Sequence, residues 1–458
     1  MDIDVISKRI DNRLADCAKR LQRALEAEGF EAFFVGGFVR DAILERDACD
    51  IDITTDALWQ DVRHIALDSG FKTYETGIKH GTITVIDPLS DISIEVTTYR
   101  VDGNYADSRH PDKVEFISSL NEDLKRRDFT MNAIAYAPEK GLIDPLCGMQ
   151  DIQNEIIRVV GDGSKRFAED GLRILRAARF ASQLGFTFET ATYEAMVRNK
   201  HMLANVSTER ITHELDCLLT GDHALDALMQ TADVIDFVLP ELVAMKGCAQ
   251  VTKYHIYDVF EHTAHVVQNV RPTRLNRWAA LCHDIGKPAA AFFDEVGVEH
   301  FYGHAHVSEN LTRGMLRRLL MAPAFIDDVC TLVRFHDIEI APSKRSVKKM
   351  LQKLNGRQDL MRALLDIKRA DAKGQAPMCL ARLDTINELE RILDEVIEAE
   401  EAFSIKDLKV GGRDIIALGI EEGPAVGRIL ADVLDQVIDE KLVNERDRII
   451  DYVQKVHL

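Results

Sequence analysis

The chain has 458 residues, 46% of them apolar, and this length predicts about three domains. Its 57 Lys and Arg against 76 Asp and Glu give a formal net charge of −19, which argues against a nucleic-acid partner unless basic residues cluster locally. Eight scattered cysteines with no C-x-x-C pair, and no apolar run near the ~18 residues of a membrane span, exclude a disulfide framework, a zinc knuckle and a membrane protein, and predict a cytoplasmic setting.

The first segment that carries chemistry is a glycine turn between a strand and a helix. Residues 32–35 form an apolar run typical of a buried strand, Gly36 and Gly37 predict a tight turn, and a helix is expected from Val39. Backbone N–H groups at such a turn, together with the positive end of the helix dipole, bind phosphates. The turn therefore predicts a phosphate site.

A pair of aspartates follows in a second predicted strand. Asp50 and Asp52 alternate with Ile51 and Ile53, so both carboxylates lie on one face of the strand and both isoleucines on the other. Carboxylate oxygens that converge on one point suit Mg²⁺. We expect these two aspartates to be metal ligands.

The glycine turn and the aspartate pair together resemble the signature of the polymerase-β-like nucleotidyltransferases, specifically the class II tRNA nucleotidyltransferase and bacterial poly(A) polymerase family. The residues that carry the resemblance are Gly36, Gly37, Val39, Arg40, Asp41, Asp50, Asp52 and Thr54. The resemblance implies that Asp50 and Asp52 are catalytic and hold Mg²⁺. It also implies that Gly36, Gly37 and Arg40 bind the nucleotide.

A third acidic residue falls in the next pair of predicted strands. Residues 82–86 and 92–98 read as strands paired around an Asp-Pro turn, and Glu95 lies in the second of them. Its carboxylate is expected either to join the aspartate pair as a third catalytic, metal-facing group or to lie on the surface of the sheet. The sequence leaves both alternatives open.

The segment from Tyr99 to Pro111 is rich in Gly, Asn and Asp and predicts a mobile loop. Loops of this length in a compact domain are usually functional or disordered. In the resembled family the corresponding loop is linked to addition of the terminal A, and enzymes that add only C lack much of it. Its presence in full favours an enzyme that completes the terminal A.

The next match to the family is the sequence Arg126-Arg-Asp-Phe-Thr-Met-Asn-Ala133. Guanidinium groups bind phosphate oxygens in a bidentate manner, so Arg126 and Arg127 are expected to bind the triphosphate. Asp128 and Asn132 are expected to hydrogen-bond the ribose and to select a ribonucleotide by its 2′-hydroxyl group.

Apolar spacing predicts a helix over Arg166–Phe180. Asp170, Arg173 and Arg176 recur every three residues on one face, where they can present acceptors and donors to a base edge. In isolation, Asp170 and Arg173 would be read as an ordinary surface salt bridge.

In the resembled family this Glu-Asp-x-x-Arg helix is the protein template that selects C and then A. The resemblance implies that role for Glu169, Asp170 and Arg173. Arg176 and Arg179 are also expected to bind the nucleotide.

One departure from the family is Gly171, where Pro is frequent. Glycine weakens a helix by about 1 kcal/mol relative to alanine, so the template helix is expected to start later or to move more easily. The later sequence Glu209-Arg-Ile-Thr-His-Glu214 resembles the next family motif, which braces the neck helices. It implies a structural role for Glu209 and Arg210.

A second set of chemically active residues lies in a strongly helical region. The sequence Leu281-Cys-His-Asp-Ile-Gly-Lys-Pro288 resembles the hallmark of the HD-superfamily phosphohydrolases. The metal ligands that this resemblance implies are His262, His283, Asp284, His304, His336 and Asp371. Imidazole and carboxylate ligands together suit Ni²⁺, Mn²⁺, Co²⁺, Fe or Mg²⁺, and such sites commonly hydrolyse phosphate esters with metal-activated water.

Within this set, His304 and His336 are expected to complete a second metal site beside a first one formed by the other four residues. Nearby side chains that could substitute as ligands are His265, His300, His306 and Asp337.

The two resemblances imply an α+β fold in four parts. These are a polymerase-β-like nucleotidyltransferase head, an all-α neck that holds the template and binds RNA, an HD domain and C-terminal helices, at residues 1–145, 146–250, 251–378 and 379–458.

The implied function is addition of CCA to the tRNA 3′ end from CTP and ATP, without a nucleic-acid template, by two-metal nucleotidyl transfer. The HD domain is expected to be a metal-dependent phosphohydrolase. The predicted partners are tRNA, ATP and CTP, with no membrane. The close alternatives are an enzyme that adds only A and a poly(A) polymerase, and a distant one is an HD phosphohydrolase with an RNA-binding N-terminal module.

Overall fold

The computed structural model describes residues 7–10, 15–47, 50–102, 114–295 and 299–458. The chain divides into two compact units, Met1–Val238 and Leu239–Leu458. The finer division into four parts stays a prediction. Most of the predicted terminal-A loop, residues 103–113, lies outside the described residues.

One mixed sheet organises the first unit. The described strands of this unit are β1 (Ala32–Val35), β2 (Ile51–Thr55), β3 (Lys72–Gly77), β4 (Thr82–Ile86), β5 (Ser93–Thr98), β6 (Arg100–Asp102), β7 (Val114–Phe116), β8 (Ala135–Ala137), β9 (Gly141–Ile143), β10 (Ile156–Ile157) and β11 (Thr187–Phe188). Seven of them form a sheet in the order β3-β4-β5-β2-β1-β8-β9, in which β2 and β5 are parallel and the other neighbours antiparallel. The predicted strands at the glycine turn, the aspartate pair and the Asp-Pro turn are confirmed.

Helices make up most of the remaining first unit. They are α1 (Asp16–Ala27), α2 (Gly37–Ile43), α3 (Trp59–Asp68), α4 (Leu120–Lys125), α5 (Gly148–Gln153), α6 (Gly163–Glu169), α7 (Leu172–Leu184), α8 (Thr190–Asn199), α9 (Thr208–Leu219) and α10 (Ala224–Ile235). α7 packs against α9 and α10. The part that follows the sheet is mostly helical, as predicted, and it includes one short parallel pairing between the two-residue strands β10 and β11.

The expected later start of the template helix is confirmed, because α7 begins at Leu172. The predicted helix over residues 166–180 is not continuous. It breaks at Asp170, whose backbone is extended and whose side chain accepts a hydrogen bond from the N–H of Leu172 at 3.0 Å. Gly171 packs so tightly that an added Cβ would lie 2.6 Å from the carbonyl oxygen of Met202. The break therefore depends on an aspartate that caps α7 and on a glycine that no larger residue can replace without a shift.

The second unit is almost entirely helical. Its described helices are α11 (Val259–Asn269), α12 (Arg274–Cys282), α13 (Lys287–Ala290), α14 (His304–Arg318), α15 (Pro323–Phe335), α16 (Lys344–Lys353), α17 (Gln358–Lys373), α18 (Arg382–Glu398), α19 (Gly412–Ala417), α20 (Pro424–Ile438) and α21 (Arg446–Val456). Two short antiparallel strands, β12 (Phe292–Phe293) and β13 (Glu299–His300), are the departure from the predicted helical region. α12 packs against α11 and α15, and α11 packs against α17. No helix within the described ranges combines the length and the apolar composition needed to cross a bilayer.

Candidate active site and metal centre

Three carboxylates of the first unit lie at neighbouring positions of the sheet. In the parallel pairing of β2 with β5, Asp52 stands opposite Glu95, so the two side chains share one face. Burial and the charges of Glu95 and Asp50 together raise the pKa of Asp52 to about 6, and Arg127 opposes this rise. A carboxyl group in this state lacks sufficient positive charge nearby, which a divalent cation would supply.

The glycine turn lies beside both the carboxylate of Asp52 and the guanidinium group of Arg127. Gly36 has φ +75°, and a Cβ at this position would lie 3.2 Å from Oδ2 of Asp52 and 3.3 Å from a guanidinium nitrogen of Arg127. Only glycine adopts this backbone conformation freely and also leaves that space open. The turn thus lets the main chain lie directly beside the carboxylate and the guanidinium.

A cavity of about 400 Å³ opens over this region. Its lining contains most of the residues predicted to bind metal or nucleotide, and it consists of Gly36, Gly37, Phe38, Arg40, Asp41, Asp47, Asp50, Asp52, Arg127, Asp128, Asn132, Arg176, Arg179 and Phe180. Five predicted residues are absent from this lining, namely Glu95, Arg126, Glu169, Asp170 and Arg173. The assigned role of every one of these residues stays a prediction.

A chain of hydrogen bonds fixes the residues predicted to contact the ribose. Arg176 donates to Oδ2 of Asp128 at 2.6 and 2.9 Å, and the amide nitrogen of Asn132 donates to Oδ1 at 3.1 Å. Arg40 donates to the amide oxygen of Asn132 at 2.7 Å. Burial alone would raise the pKa of Asp128, but Arg176 holds it well below its usual range. Asp128 is therefore a charged acceptor held in one orientation.

Phe180 lines the cavity although sequence reasoning assigned it no role in the site. Its ring has three guanidinium groups around it, with those of Arg179, Arg40 and Arg176 at 4.5, 4.8 and 5.5 Å from its centroid. Cations are attracted to an aromatic ring at these distances. The ring therefore helps to hold three like charges together beside the cavity.

Asp123 is a second residue that sequence reasoning missed. It is fully buried and accepts hydrogen bonds from the hydroxyl of Thr54 at 3.0 Å and from Nε of Arg126 at 2.9 Å. Arg127 lies 3.5 Å from its other oxygen. The spacing of three and four residues to two arginines on a helix end was the available signal. Asp123 connects strand β2 to the arginine pair and draws Arg126 toward itself.

The predicted template residues are held by other side chains. Oε2 of Glu169 accepts from Arg166 at 2.8 Å and from Arg173 at 2.7 Å. Oδ2 of Asp170 accepts from Arg210 at 2.9 Å. Arg210, predicted to be structural, is thus in direct contact with the predicted template.

Five of the six residues that the HD resemblance implies as ligands form two adjoining groups in the second unit. His262, His283 and Asp284 form one group able to hold a metal ion, and Asp284, His304 and His336 form another. Asp284 belongs to both groups through its two oxygens, which lie 3.1 Å from Nε2 of His283 and 3.3 Å from Nε2 of His304. The prediction placed Asp284 in the first metal site only, whereas in the structure it also belongs to the group with His304 and His336.

Asp371 lies beside the first of these groups, with Oδ1 at 3.1 Å from Nε2 of His262 and 4.0 Å from Nε2 of His283. Burial alone would raise its pKa, but the adjacent His262 holds it below the usual range. Its role as a metal ligand stays a prediction.

The four histidines share one mode of support. The Nδ1 atoms of His262, His283, His304 and His336 lie 2.6 to 3.0 Å from the carbonyl oxygens of Gly374, Ala280, Phe301 and Val333. An Nδ1–H that donates to a carbonyl leaves Nε2 as the free lone pair. All four Nε2 atoms therefore face the centre as potential metal ligands.

Several buried atoms of this centre make no hydrogen bond of good geometry to the described residues, although Lys287 and His283 lie within ion-pair distance of Asp284. They are both carboxylate oxygens of Asp284 and the Nε2 atoms of His262 and His283. Unsatisfied buried polar atoms are costly, and a metal ion is one of the groups that satisfies them. The donor set fits a divalent cation.

Lys287 and His255 are further members of this centre that the sequence did not single out as ligands. Lys287 is buried and its Nζ lies 2.7 Å from Oδ2 of Asp284. Burial alone would raise the pKa of Asp284, but His283 and Lys287 hold it well below its usual range. Both residues line a cavity of about 280 Å³, which also contains Asp337.

The remaining predicted substitutes make other contacts. His265 stacks on Tyr257 at 4.3 Å between centroids, and His300 lies 2.8 Å from Asp294. His306 is exposed. Of the four substitutes, only Asp337 lines the cavity.

Comparison with protein families gives three matches along the chain. Residues 32–158 match the poly A polymerase head domain, and residues 185–245 match a probable RNA and SrmB-binding site of polymerase A. Residues 300–453 match a putative tRNA nucleotidyltransferase domain 2.

Individual relatives extend this similarity over nearly the whole chain. A CCA-adding enzyme of Geobacillus thermodenitrificans is 43% identical over 58% of this chain, an alignment that covers only 61% of the relative's own length. A CCA-adding enzyme of Leuconostoc mesenteroides is 31% identical, with 94% of each chain covered. The crystal structure of the Bacillus stearothermophilus CCA-adding enzyme in complex with CTP superimposes with a TM-score of 0.74, 31% identity and 96% of each chain covered.

Proposed function

Because this chain belongs to the family of CCA-adding enzymes, we propose that it adds CCA to the 3′ end of tRNA, using CTP and ATP and no nucleic-acid template. The observation that carries the proposal is the single cavity in which Asp50 and Asp52 face Arg127, Arg176 and Arg179. Carboxylates at such a site suit Mg²⁺, and guanidinium groups suit a triphosphate. The site thus contains the charge pattern that nucleotidyl transfer needs.

In this proposal Asp50 and Asp52, with Glu95 beside them, hold Mg²⁺. When bound, Mg²⁺ makes the RNA 3′-hydroxyl more acidic and neutralises charge on the departing pyrophosphate. Arg127 binds and orients the triphosphate. Asp128 accepts a hydrogen bond from the ribose 2′-hydroxyl and so favours a ribonucleotide.

The base is selected by Glu169, Asp170 and Arg173. Cytosine and adenine both present an amino donor beside a ring-nitrogen acceptor, whereas uracil and guanine present a carbonyl beside an N–H. An aspartate accepts and an arginine donates, so this pair complements the first two bases and repels the other two. The contact between Glu169 and Arg173 supports the proposal because it orients the donor.

The second unit carries a further proposed activity, a metal-dependent phosphohydrolase. The unsatisfied atoms of His262, His283 and Asp284 support a resident metal, and mixed imidazole and carboxylate ligands suit Ni²⁺, Mn²⁺, Co²⁺ or Fe. A metal in this centre would supply a bound water of lowered pKa. Incubation with 2′-phosphates and 2′,3′-cyclic phosphates, in the presence of each metal, tests this activity by phosphate release.

We also propose that the reaction takes place in the cytoplasm. The described cysteines are free, four of them buried, which suits a reducing compartment.

The test of the main proposal is incubation with tRNA that lacks its 3′ end. CTP and ATP are supplied separately and together, and the product length is read at single-nucleotide resolution. We expect the enzyme to add two nucleotides to the tRNA with CTP alone and three nucleotides with CTP and ATP together. An enzyme that adds only A would need tRNA ending in CC, and a poly(A) polymerase would make long A tracts on unrelated RNA.

A further inference from the structure

Helix α9 makes two contacts with the predicted nucleotide site, from residues one turn apart. Arg210 contacts Asp170, with NH2 at 2.9 Å from Oδ2. Four residues later, the carboxylate of Glu214 lies 3.3 Å from NH1 of Arg179. Residues at i and i+4 lie on the same helix face. One rigid element therefore supports both the residue predicted to face the base and an arginine of the cavity.

Two hydrogen-bond donors, one on each oxygen, fix the carboxylate of Asp170. Oδ2 accepts from Arg210, and Oδ1 accepts from the N–H of Leu172 at 3.0 Å. Both side chains are partly shielded from water, Asp170 with 16% and Arg210 with 27% of its side-chain surface exposed. The other terminal nitrogen of Arg210 is buried and makes no hydrogen bond to any described residue. Among the described residues, the terminal nitrogens of Arg210 therefore hydrogen-bond Asp170 alone.

We propose that Arg210 is a positioning residue for base selection, which holds Asp170 as a fixed acceptor and thereby excludes uracil and guanine. This inference rests on the proposed template role of Asp170. Each carboxylate oxygen keeps a further lone pair for the amino group of cytosine or adenine. A carbonyl oxygen at the same place meets a fixed negative charge. Without Arg210 the carboxylate is free to rotate away from that carbonyl, and rejection weakens.

Glu214 supplies an internal contrast on the same helix. Arg179 lines the cavity and its guanidinium group lies over Phe180, away from the Glu-Asp-x-x-Arg segment. Loss of the Glu214 carboxylate is expected to weaken the binding of all four nucleoside triphosphates to a similar degree. Loss of Arg210 is expected to change the ratio between them.

The experiment compares Arg210→Gln, Arg210→Lys and Glu214→Gln with the unaltered full-length enzyme. The matched control is Arg198→Gln, because Arg198 is an exposed arginine on the neighbouring helix α8 whose only described ion pair, to Glu194, spans 3.7 Å. The readout is kcat/KM for CTP against UTP on tRNA lacking its 3′ end, and for ATP against GTP on tRNA ending in CC. Thermal unfolding of each variant is recorded alongside.

We expect Arg210→Gln to lower both ratios by about tenfold, the effect of losing one charge-assisted hydrogen bond. Arg210→Lys recovers part of the ratio because it keeps the charge. Equal losses for all four nucleotides in Arg210→Gln would overturn the inference and leave Arg210 as a packing residue only. If the unaltered enzyme adds no C to tRNA, the proposed function fails instead. Should Arg210→Gln not fold, the ratio measured for Arg210→Lys decides, because displacement of the positive charge alters selection only if Arg210 positions Asp170.

Discussion

The two candidate metal sites of this chain are built in opposite ways. In the first unit Asp50 and Glu95 are exposed and Asp52 is partly buried, and the neighbouring groups are arginines and carboxylates. In the second unit five of the six implied ligands are at most 9% exposed, and four of them are histidines fixed by main-chain carbonyls. An open carboxylate site suits a metal that arrives with the nucleotide. A buried mixed cage suits a metal that stays with the protein.

The two sites also differ in the pKa of their central carboxyl groups. Burial raises the pKa of Asp52 to about 6, with Arg127 opposing and Glu95 adding to the rise. Asp284 is more deeply buried, yet His283 and Lys287 keep its pKa well below the usual range. The first site has a carboxylate that lacks compensation until substrate and metal bind. At the second site, His283 and Lys287 already lie against the carboxylate of Asp284.

The largest expected effect comes from Asp50→Asn, because this change removes a metal-binding charge without changing size. We expect addition of C and of A to fall by about 10³-fold or more, since the reaction depends on electrostatic stabilisation at this point. Tightly bound metal, measured by elemental analysis after dialysis, stays at the wild-type level. A loss of that metal would show that the two sites are not independent and would end the comparison.

Asp284→Asn is the reciprocal change. The carboxylate of Asp284 belongs to both metal groups. Loss of a residue that only supports a metal ligand lowers metal affinity by about 10- to 100-fold, so we expect loss of this carboxylate to lower it by more than about 100-fold. Addition of CCA is expected to stay within about twofold of wild type if the first site is completed by its substrate. The measurements are metal content after dialysis and single-nucleotide addition with Mg²⁺ supplied. Parallel loss of both properties would contradict independent sites.

Much of the first site follows from the sequence because its residues lie in short local patterns. The strand Ala32–Val35 and the alternation of Asp50 with Asp52 depend on two-residue periodicity and turn chemistry, which act over a few positions. The face taken by Glu95 did not follow, because it depends on the register of β5 against β2. Pairing between distant strands leaves no trace in a single strand.

Other parts of the site depend on tertiary contacts that no local pattern carries. The helix predicted over residues 166–180 breaks where Gly171 meets the carbonyl of Met202, about thirty positions away in the chain. Asp123 and Phe180 looked like ordinary helix residues, although Asp123 contacts Arg127 and Phe180 contacts Arg179, both of which line the cavity. The HD ligands were predicted through a family resemblance, since the distances between histidines 21 to 74 positions apart in sequence follow only from helix packing.

Glu95→Gln sharpens the comparison by testing whether the open site has a third carboxylate. If Glu95 faces the metal, we expect addition to fall by about 30-fold and the Mg²⁺ concentration for half-maximal rate to rise, because charge is lost beside Asp52. Glu75→Gln is the control, since Glu75 lies on the edge strand β3 of the same sheet and pairs with Arg63 at 3.1 Å. Equal Mg²⁺ titrations for both variants would return Glu95 to the role of a surface residue.

The smallest expected effect is that of Gly36→Ala, which leaves every charge in place. Its new Cβ would stand 3.2 Å from the carboxylate of Asp52 and 3.3 Å from Arg127, so these groups must shift by a few tenths of an ångström. Gly29→Ala is the control for a positive φ, since its Cβ meets nothing within 4 Å. Gly36 has φ +75° and ψ −140°, which few residues other than glycine adopt, so we expect a larger loss of thermal stability for Gly36→Ala and an about tenfold fall in nucleotide addition for this variant alone. Equal activities would mean that the open site tolerates displacement of its carboxylate, as expected if the bound metal rather than the chain sets the final geometry.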